Sequence, residues 1–252
     1  MRNICYLGDD TFSGAAVYLA GIMAHFGMEF DHVDSGTKPS ADFCDGMYKL
    51  YVLSDYASHL FTDGQIEYIA AAVEHGAGLV MFGGWESYHG LLGRYDKTLL
   101  KDVLPVFMED GDDRRNYAQP CVAVPTCEHP ITAGLPWNSP PCIGGFNAYR
   151  PKPGAQVLME THRFGIDRTD NADGSPSFCF SPIETLPLLT VGTFGKGRVA
   201  AMATDVAPHW VGGLVDWGRE RMCQKLDSGE FIDVGADYAR LFKQLLEWTM
   251  QK

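Results

Sequence analysis

Asp205 and His209 stand four residues apart in the run Thr204-Asp205-Val206-Ala207-Pro208-His209-Trp210, a pairing in which a carboxylate can orient an imidazole for general acid–base work. Ser87, in Gly83-Gly84-Trp85-Glu86-Ser87, carries a hydroxyl that such a base would activate, with Asp205 or Glu86 as the orienting group. Glu86 is also an acid or base in its own right. Asp9 and Asp55 each follow a short apolar run, and with Asp205 and His209 they form an Asp/His/Asp set able to hold a sugar's hydroxyls or, less well, a divalent metal. No HxH or HExxH spacing supports a metal, so no metal ligand and no cofactor is assigned. Arg94, in Gly93-Arg94-Tyr95-Asp96, has the planar fork that grips a carboxylate. Trp85, Tyr88, Trp210 and Trp217 supply the aromatic walls of a pocket.

Each of these residues also has a purely structural reading. Ser87 would cap, and Glu86 would favour, the N-terminus of a helix starting after Gly84. Asp9 and Asp55 would cap the helices that follow them, and Arg94 would form a structural ion pair. Asp205 and His209 would brace a loop while Trp210 packs in the core. Gly195-Lys196-Gly197 lacks the Ser/Thr and helix of a phosphate loop and reads as a hairpin turn.

The elements that position these residues are legible as short apolar runs alternating with amphipathic ones. Asn3 to Gly8, Met28 to Val33, Leu50 to Leu53 and Leu79 to Phe82 read as buried strands. A helix capped by Ser13 buries Ala16, Leu19, Met23 and Phe26 and stops at Gly27; another starts at Thr62 or Asp63, buries Ile66, Ile69, Ala70 and Val73, and ends at Gly76 and Gly78. Strands separated by one-faced helices make an open parallel sheet covered on both sides, in which ligands sit at the carboxyl ends of the strands. Those ends carry Asp9, Asp55 and the Gly83–Ser87 segment. From Trp85 to Pro187 further strands at Cys121 to Val124 and Gln156 to Met159 extend the sheet, and Asp167 to Ser177 reads as a mobile loop. Leu186 to Val191 and Gly197 to Thr204 form a hairpin, and a final helix presents Tyr238, Leu241, Phe242, Leu245 and Leu246. There is no internal repeat and no linker, so residues 1–252 read as a single domain.

Composition excludes several classes. The 252 residues carry 20 Lys and Arg against 32 Asp and Glu, a net charge of −12 that repels a phosphate backbone and argues against a nucleic-acid partner. No run approaches the roughly 20 apolar residues of a membrane span, and Met1-Arg2-Asn3 leads into a strand instead of an apolar leader. Seven cysteines without a CxxC pair suit a reduced, cytoplasmic protein in which most thiols act as small apolar groups.

Gly83 to Val106, Gly195 to Trp217 and the phrase His129 to Leu135 (HPITAGL) resemble the class I glutamine amidotransferase-like proteins, nearest to their uncharacterised branch and more remotely similar to trehalose-utilisation-type proteins. The resemblance implies a flavodoxin-like three-layer α/β/α sandwich with a mostly parallel sheet. It does not carry over amidotransferase chemistry. The family's nucleophilic Cys falls on Trp85, whose indole cannot attack a carboxamide, and the family's late His-x-Glu position holds Thr204-Asp205. The resulting expectation is a domain without glutaminase activity that binds a small polar molecule at the strand ends. The alternatives are a hydrolase or sugar-modifying enzyme using Asp205, His209 and Glu86, and a structural domain that forms homo-oligomers.

Overall fold

The computed structural model describes residues 3–45 and 47–252; Met1 and Arg2, at the expected chain start, lie outside the described residues. Ile4–Gly8 (β1), Leu50–Ser54 (β3) and Gly78–Phe82 (β4) are buried at every position, as unbroken apolar runs covered on both faces must be. Phe30–Val33 (β2) is half-buried, and Ala16–His25 (α1) and Asp63–Glu74 (α2) connect these strands. Leu100–Val103 (α3) precedes Val106–Met108 (β5), and the long strands Arg114–Pro125 (β6), Cys142–Asn147 (β7), Tyr149–Pro151 (β8), Gln156–Asp170 (β9) and Pro176–Phe194 (β10) follow. Gly197–Met202 (β11), Pro208–Val211 (α4), Arg221–Lys225 (β12), Phe231–Gly235 (β13) and Ala236–Thr249 (α5) complete the order.

The principal sheet has nine strands in the order β2-β1-β3-β4-β11-β10-β9-β6-β7. Its first five are parallel, whereas β11, β10, β9, β6 and β7 are joined by antiparallel pairings, so the sheet is a parallel half with an antiparallel extension. The reason is local. Gly195-Lys196-Gly197 closes a tight β10–β11 hairpin as expected, and short hairpin connections enforce antiparallel neighbours where helical crossovers would give parallel ones. The buried apolar side chains form one cluster running from β1 to α5. No helix among the described residues is long and apolar enough to cross a membrane.

Other expectations shift for identifiable reasons. The second strand begins at Phe30 and not Met28, because the Met28 N–H closes α1 onto Met23 O at 2.8 Å. α1 has Ala15 at its N-cap and no side-chain cap there; the Asp10 carboxylate instead accepts the N–H groups of Thr11 and Ala15 at 2.7 and 2.9 Å, while the Ser13 hydroxyl meets Thr11. Asp167 to Ser177 is no loop. Its residues continue the β9–β10 ladder, closed by a turn at 171–175 with Gly174 at φ +81°. No helix starts after Gly84; the chain stays irregular until a 3-10 turn at Tyr95–Lys97.

The caps give a direct test. Thr62 and Gln65 form a reciprocal capping box on α2, so Thr62→Ala should lower stability in a denaturant melt by about 1 kcal/mol. Asp10→Ala should do the same for α1, whereas Ser13→Ala should leave the midpoint unmoved.

Candidate functional site at the carboxyl ends of the parallel strands

Register places the candidate residues. Gly8 pairs with Ser54, Ser54 with Phe82, and Phe82 with Met202, so four parallel strands end on one line. The chain segments that leave this line carry Asp9, Asp55, Gly83 to Ser87, and Asp205. Asp9 and Asp55 both turn out of their strands in the left-handed region, at φ 44° and 50°, a conformation that Asp tolerates better than most residues.

Three of the carboxylates are withdrawn from solvent. Asp9 accepts a hydrogen bond from the Tyr6 hydroxyl and is buried, and burial raises its pKa to about 7, with the Asp55 charge adding to the effect. Asp205 is 1% exposed; burial, then the charges of Asp9 and Asp55, hold its pKa well above the usual carboxylate range. Its Oδ1 accepts the N–H groups of Val206 and Ala207, and Oδ2 lies 3.5 Å from Nε2 of His209, whose own side chain is 57% exposed. Asp55 is raised by burial and lowered by the Glu86 amide and by the charges of His209 and Arg114. Asp9, Asp55, Asp205 and His209 therefore sense one another across the strand ends. Glu86 joins them: burial and the Asp55 charge raise its carboxyl, and His59 offsets part of this. Among the described residues, no three or more His, Cys, Asp or Glu side chains cluster so as to hold a metal ion.

The segment after β4 is fixed by side chains from distant parts of the chain. Asn147 accepts the Gly84 N–H at 2.8 Å and donates to Gly84 O at 3.1 Å and to Asp113 Oδ1 at 2.7 Å. Asp113, fully buried, also accepts the N–H groups of His89 and Gly90. Asp55 Oδ1 accepts the Glu86 N–H, and the Asp55 N–H is donated to Ser87 Oγ at 3.1 Å. Only glycine fits beneath this arrangement: a Cβ at Gly83 would lie 1.8 Å from Ala203 O, and one at Gly84 2.5 Å from Asp55 Oδ1. Amides claimed in this way cannot nucleate a helix, which is why the expected caps at Glu86 and Ser87 do not form.

Several sequence expectations are corrected by this geometry. Ser87 is buried and engaged with the Asp55 amide, not hydrogen-bonded to His209. Asp9 and Asp55 cap no helix. Arg94 is half-exposed, with its Nε 3.9 Å from Oδ1 of the largely buried Asp96, the structural ion pair and not a free carboxylate anchor. Trp210 is buried against Gly145, Trp217 packs on Trp137 with ring centroids 4.7 Å apart, and Tyr88 donates from the core to Met81 O and Met202 O; all three rings are buried, and Trp217 borders a separate surface cavity beside Asp237 and Arg240. Trp85 alone of the four is exposed, at 48%, and the Arg114 guanidinium stacks 4.6 Å from its ring centre. Arg114 is held in turn by two bonds to Asp112. Arg114, Asp113 and Asn147 are thus the site residues that sequence reasoning missed. Asp113 ends the acidic run Glu109-Asp110-Gly111-Asp112-Asp113, which has the composition of a solvent-exposed turn, and nothing local marks Asn147.

An open α/β sheet with polar groups gathered past its parallel strand ends defines a ligand-site class of α/β domain. The chain belongs to the family described as putative glutamine amidotransferases, whose family model matches residues 50–250. No functionally curated protein matches the sequence. Among solved structures it is similar to the cytoplasmic protein STM1381 of Salmonella typhimurium LT2, with 25% identity and a TM-score of 0.74 over 98% of this chain and 99% of that one. The cytoplasmic protein STM3548 of Salmonella typhimurium shares the fold at 21% identity and a TM-score of 0.75 over 98% of each chain. A β-galactosidase from Rahnella sp. R3 shares the fold at 12% identity and a TM-score of 0.56, over all of this chain and 32% of that one.

The carboxylates set a pH dependence. For a group whose folded pKa lies above its unfolded value, the folded state holds more protons between the two, so stability falls as pH rises through that window. With Asp9 raised from 3.8 to about 7, thermal stability should decline from near pH 4 to above pH 7. Asp9→Asn keeps an acceptor for Tyr6 and suits the left-handed backbone. It should flatten this decline and raise the Tm at pH 8 by roughly 2–4 °C per kcal/mol recovered.

Proposed function

We propose that this protein is an amidotransferase-like domain without glutaminase activity that binds a small, hydroxyl- or ammonium-bearing molecule at the carboxyl ends of its parallel strands. The observation that carries this reading is the turn after β4. Trp85 occupies the position where the family resemblance puts the nucleophile, and the N–H of the next residue, Glu86, is bound by the Asp55 carboxylate. In an acyl-transfer elbow that following amide stabilises the oxyanion. Here it faces an anion already, so both the nucleophile and the oxyanion donor are missing.

What replaces them is a donor-seeking surface. Asp55, Glu86 and the Asp205–His209 pair offer acceptors, and the Trp85–Arg114 stack offers a flat face against which the apolar side of a sugar ring can lie. In this reading the parallel half is the core of a flavodoxin-like three-layer sandwich, with α1 touching α5 and α2 touching α3. The whole chain acts as one domain in the cytoplasm. The name of the Salmonella typhimurium LT2 neighbour supports that location.

A second reading, a hydrolase, rests on one contact. Buried Asp205 orients exposed His209 at 3.5 Å, as an orienting carboxylate does for a general base, and with Ser87 sequestered the nucleophile would be water.

Two measurements decide between them. Purified protein should release no ammonia from glutamine above background; turnover that disappears in Glu86→Ala or Ser87→Ala would overturn the leading reading. In a thermal-shift screen of monosaccharides, polyols and small amines, a stabilising compound should lose its effect in Trp85→Ala and Asp55→Asn. If His209→Ala abolishes hydrolysis of a glycoside or ester while the Tm stays put, the second reading takes its place.

A further inference from the structure

The β9–β10 hairpin runs beyond the sheet as a two-stranded arm. β6 pairs with β9 only as far as His162, and β11 pairs with β10 only from Leu189 onward, so residues 163–183 have neighbours within the arm alone among the sheet's pairings. Phe178 and Phe180 are 55% and 63% exposed on one face of this arm, beside Ile166 of the paired strand. An exposed strand edge with aromatic side chains is a template for another strand.

The sequence at that edge names the partner. Pro176-Ser177-Phe178-Cys179-Phe180-Ser181-Pro182 is a palindrome centred on Cys179. Two copies of such a strand laid antiparallel place every residue opposite its own type, which is what a two-fold, isologous contact requires. We propose that the arm pairs with the same arm of a second copy of this chain, β10 against β10, about a two-fold axis at Cys179.

Backbone direction supports the register independently of the palindrome. Asn171 N–H bonds Ser175 O at 2.9 Å, so these two residues form a hydrogen-bonded pair of the hairpin, and the pairs then alternate along the regular stretch from Asp170↔Pro176 to Phe164↔Pro182. Ser177, Cys179 and Ser181 therefore spend their backbone groups on β9. Pro176, Phe178, Phe180 and Pro182 aim theirs at the free edge. About the proposed axis, Phe178 of one copy and Phe180 of the other exchange N–H and C=O bonds, and the symmetric pair does the same. The ladder stops there because the next residues on each side are prolines without an N–H, which confines pairing to a short, defined stretch. Residues 176–182 carry no charge, so two chains of net charge −12 meet where like charges are absent. Cys179 is exposed and free, and it faces its own copy across a non-hydrogen-bonded pair, where Cα atoms lie ~4.5 Å apart and a disulfide can span.

The test uses the full chain. Sedimentation velocity at micromolar concentrations should show a dimer, and diamide, which takes up the two thiol hydrogens, should give a cross-linked dimer on a non-reducing gel. The cross-link should vanish in Cys179→Ser and persist in Cys127→Ser and Cys223→Ser, the other exposed cysteines. Phe180→Pro leaves the β9 pairing untouched but deletes two of the four inter-chain N–H donors, so the dimer Kd should rise roughly tenfold or more with an unchanged circular dichroism spectrum. A monomer throughout, a dimer that Cys179 does not cross-link, or a dimer indifferent to Phe180→Pro would each overturn the proposal. Because none of these readouts involves Trp85, Asp55 or His209, failure here is separate from failure of the ligand-binding reading.

Discussion

The Asn147 side-chain amide is the constraint on which the candidate site depends. It sits at the end of β7, at the far margin of the sheet, yet it grips both backbone groups of Gly84 at the end of the central β4 and passes a hydrogen bond to buried Asp113. Asp113 then fixes the amides of His89 and Gly90. A buried carboxylate costs several kcal/mol unless its acceptors are filled, and here three donors meet it. The consequence is that the loop from Gly83 to Gly90 is held from outside by specific partners and has no helix to support it. The antiparallel extension of the sheet is therefore part of the site: without β7 there is no Asn147, and without the β5–β6 segment there is no Asp113 or Arg114.

The second organising force is electrostatic. Parallel strands in register deliver Asp9, Asp55 and Asp205 to one rim, and burial raises all three carboxyl pKa values. Burial is the largest cause of each shift, and at Asp9 and Asp205 the charges of neighbouring carboxylates add to it. Tyr6, the Glu86 amide and the Val206 and Ala207 amides take up part of the acceptor capacity. The Arg114 guanidinium supplies positive charge that lowers the Asp55 carboxyl in part. Such an arrangement favours a ligand that brings donors, because each donor relieves a repulsion the protein already carries.

Much of this was legible in the sequence, and what was not had a physical cause. Unbroken apolar runs identified β1, β3 and β4, and the residues following them were named because ligands collect at strand ends. Asp9, Asp55, Glu86, Asp205 and His209 do gather there. Local grammar failed where distant side chains override it. Ser87 has the identity of a helix cap, but the amides it would cap are held elsewhere. The polar stretch Asp167 to Ser177 has the composition of a loop, but a hairpin ladder with a turn at Gly174 needs only the five residues 171–175 as its turn, and the strands beside it are exposed and so free to be polar. Asn147 and Arg114 could not be found because their importance is a matter of which strands become neighbours. That order follows from antiparallel connections spread over residues 114–202.

In the proposed reading, the absence of glutaminase chemistry and the presence of a donor-seeking surface are two aspects of one residue pattern. An elbow nucleophile requires a free amide beside it, a sharp turn into a helix, and a base within reach. Placing Asp55 in the left-handed region after β3 turns its carboxylate onto the Glu86 amide, which closes the oxyanion position. No helix follows this turn, where Asp113 holds the His89 and Gly90 amides, and Gly84 must lack a Cβ so that the Asp55 carboxylate can approach. Trp85 is thereby freed from any role in attack, projects into solvent, and becomes the surface on which Arg114 stacks. On that reading a single side chain at the exit of β3 makes the turn after β4 a place where a carboxylate already meets the Glu86 amide, and the ligand the turn would select is one that brings hydrogen-bond donors.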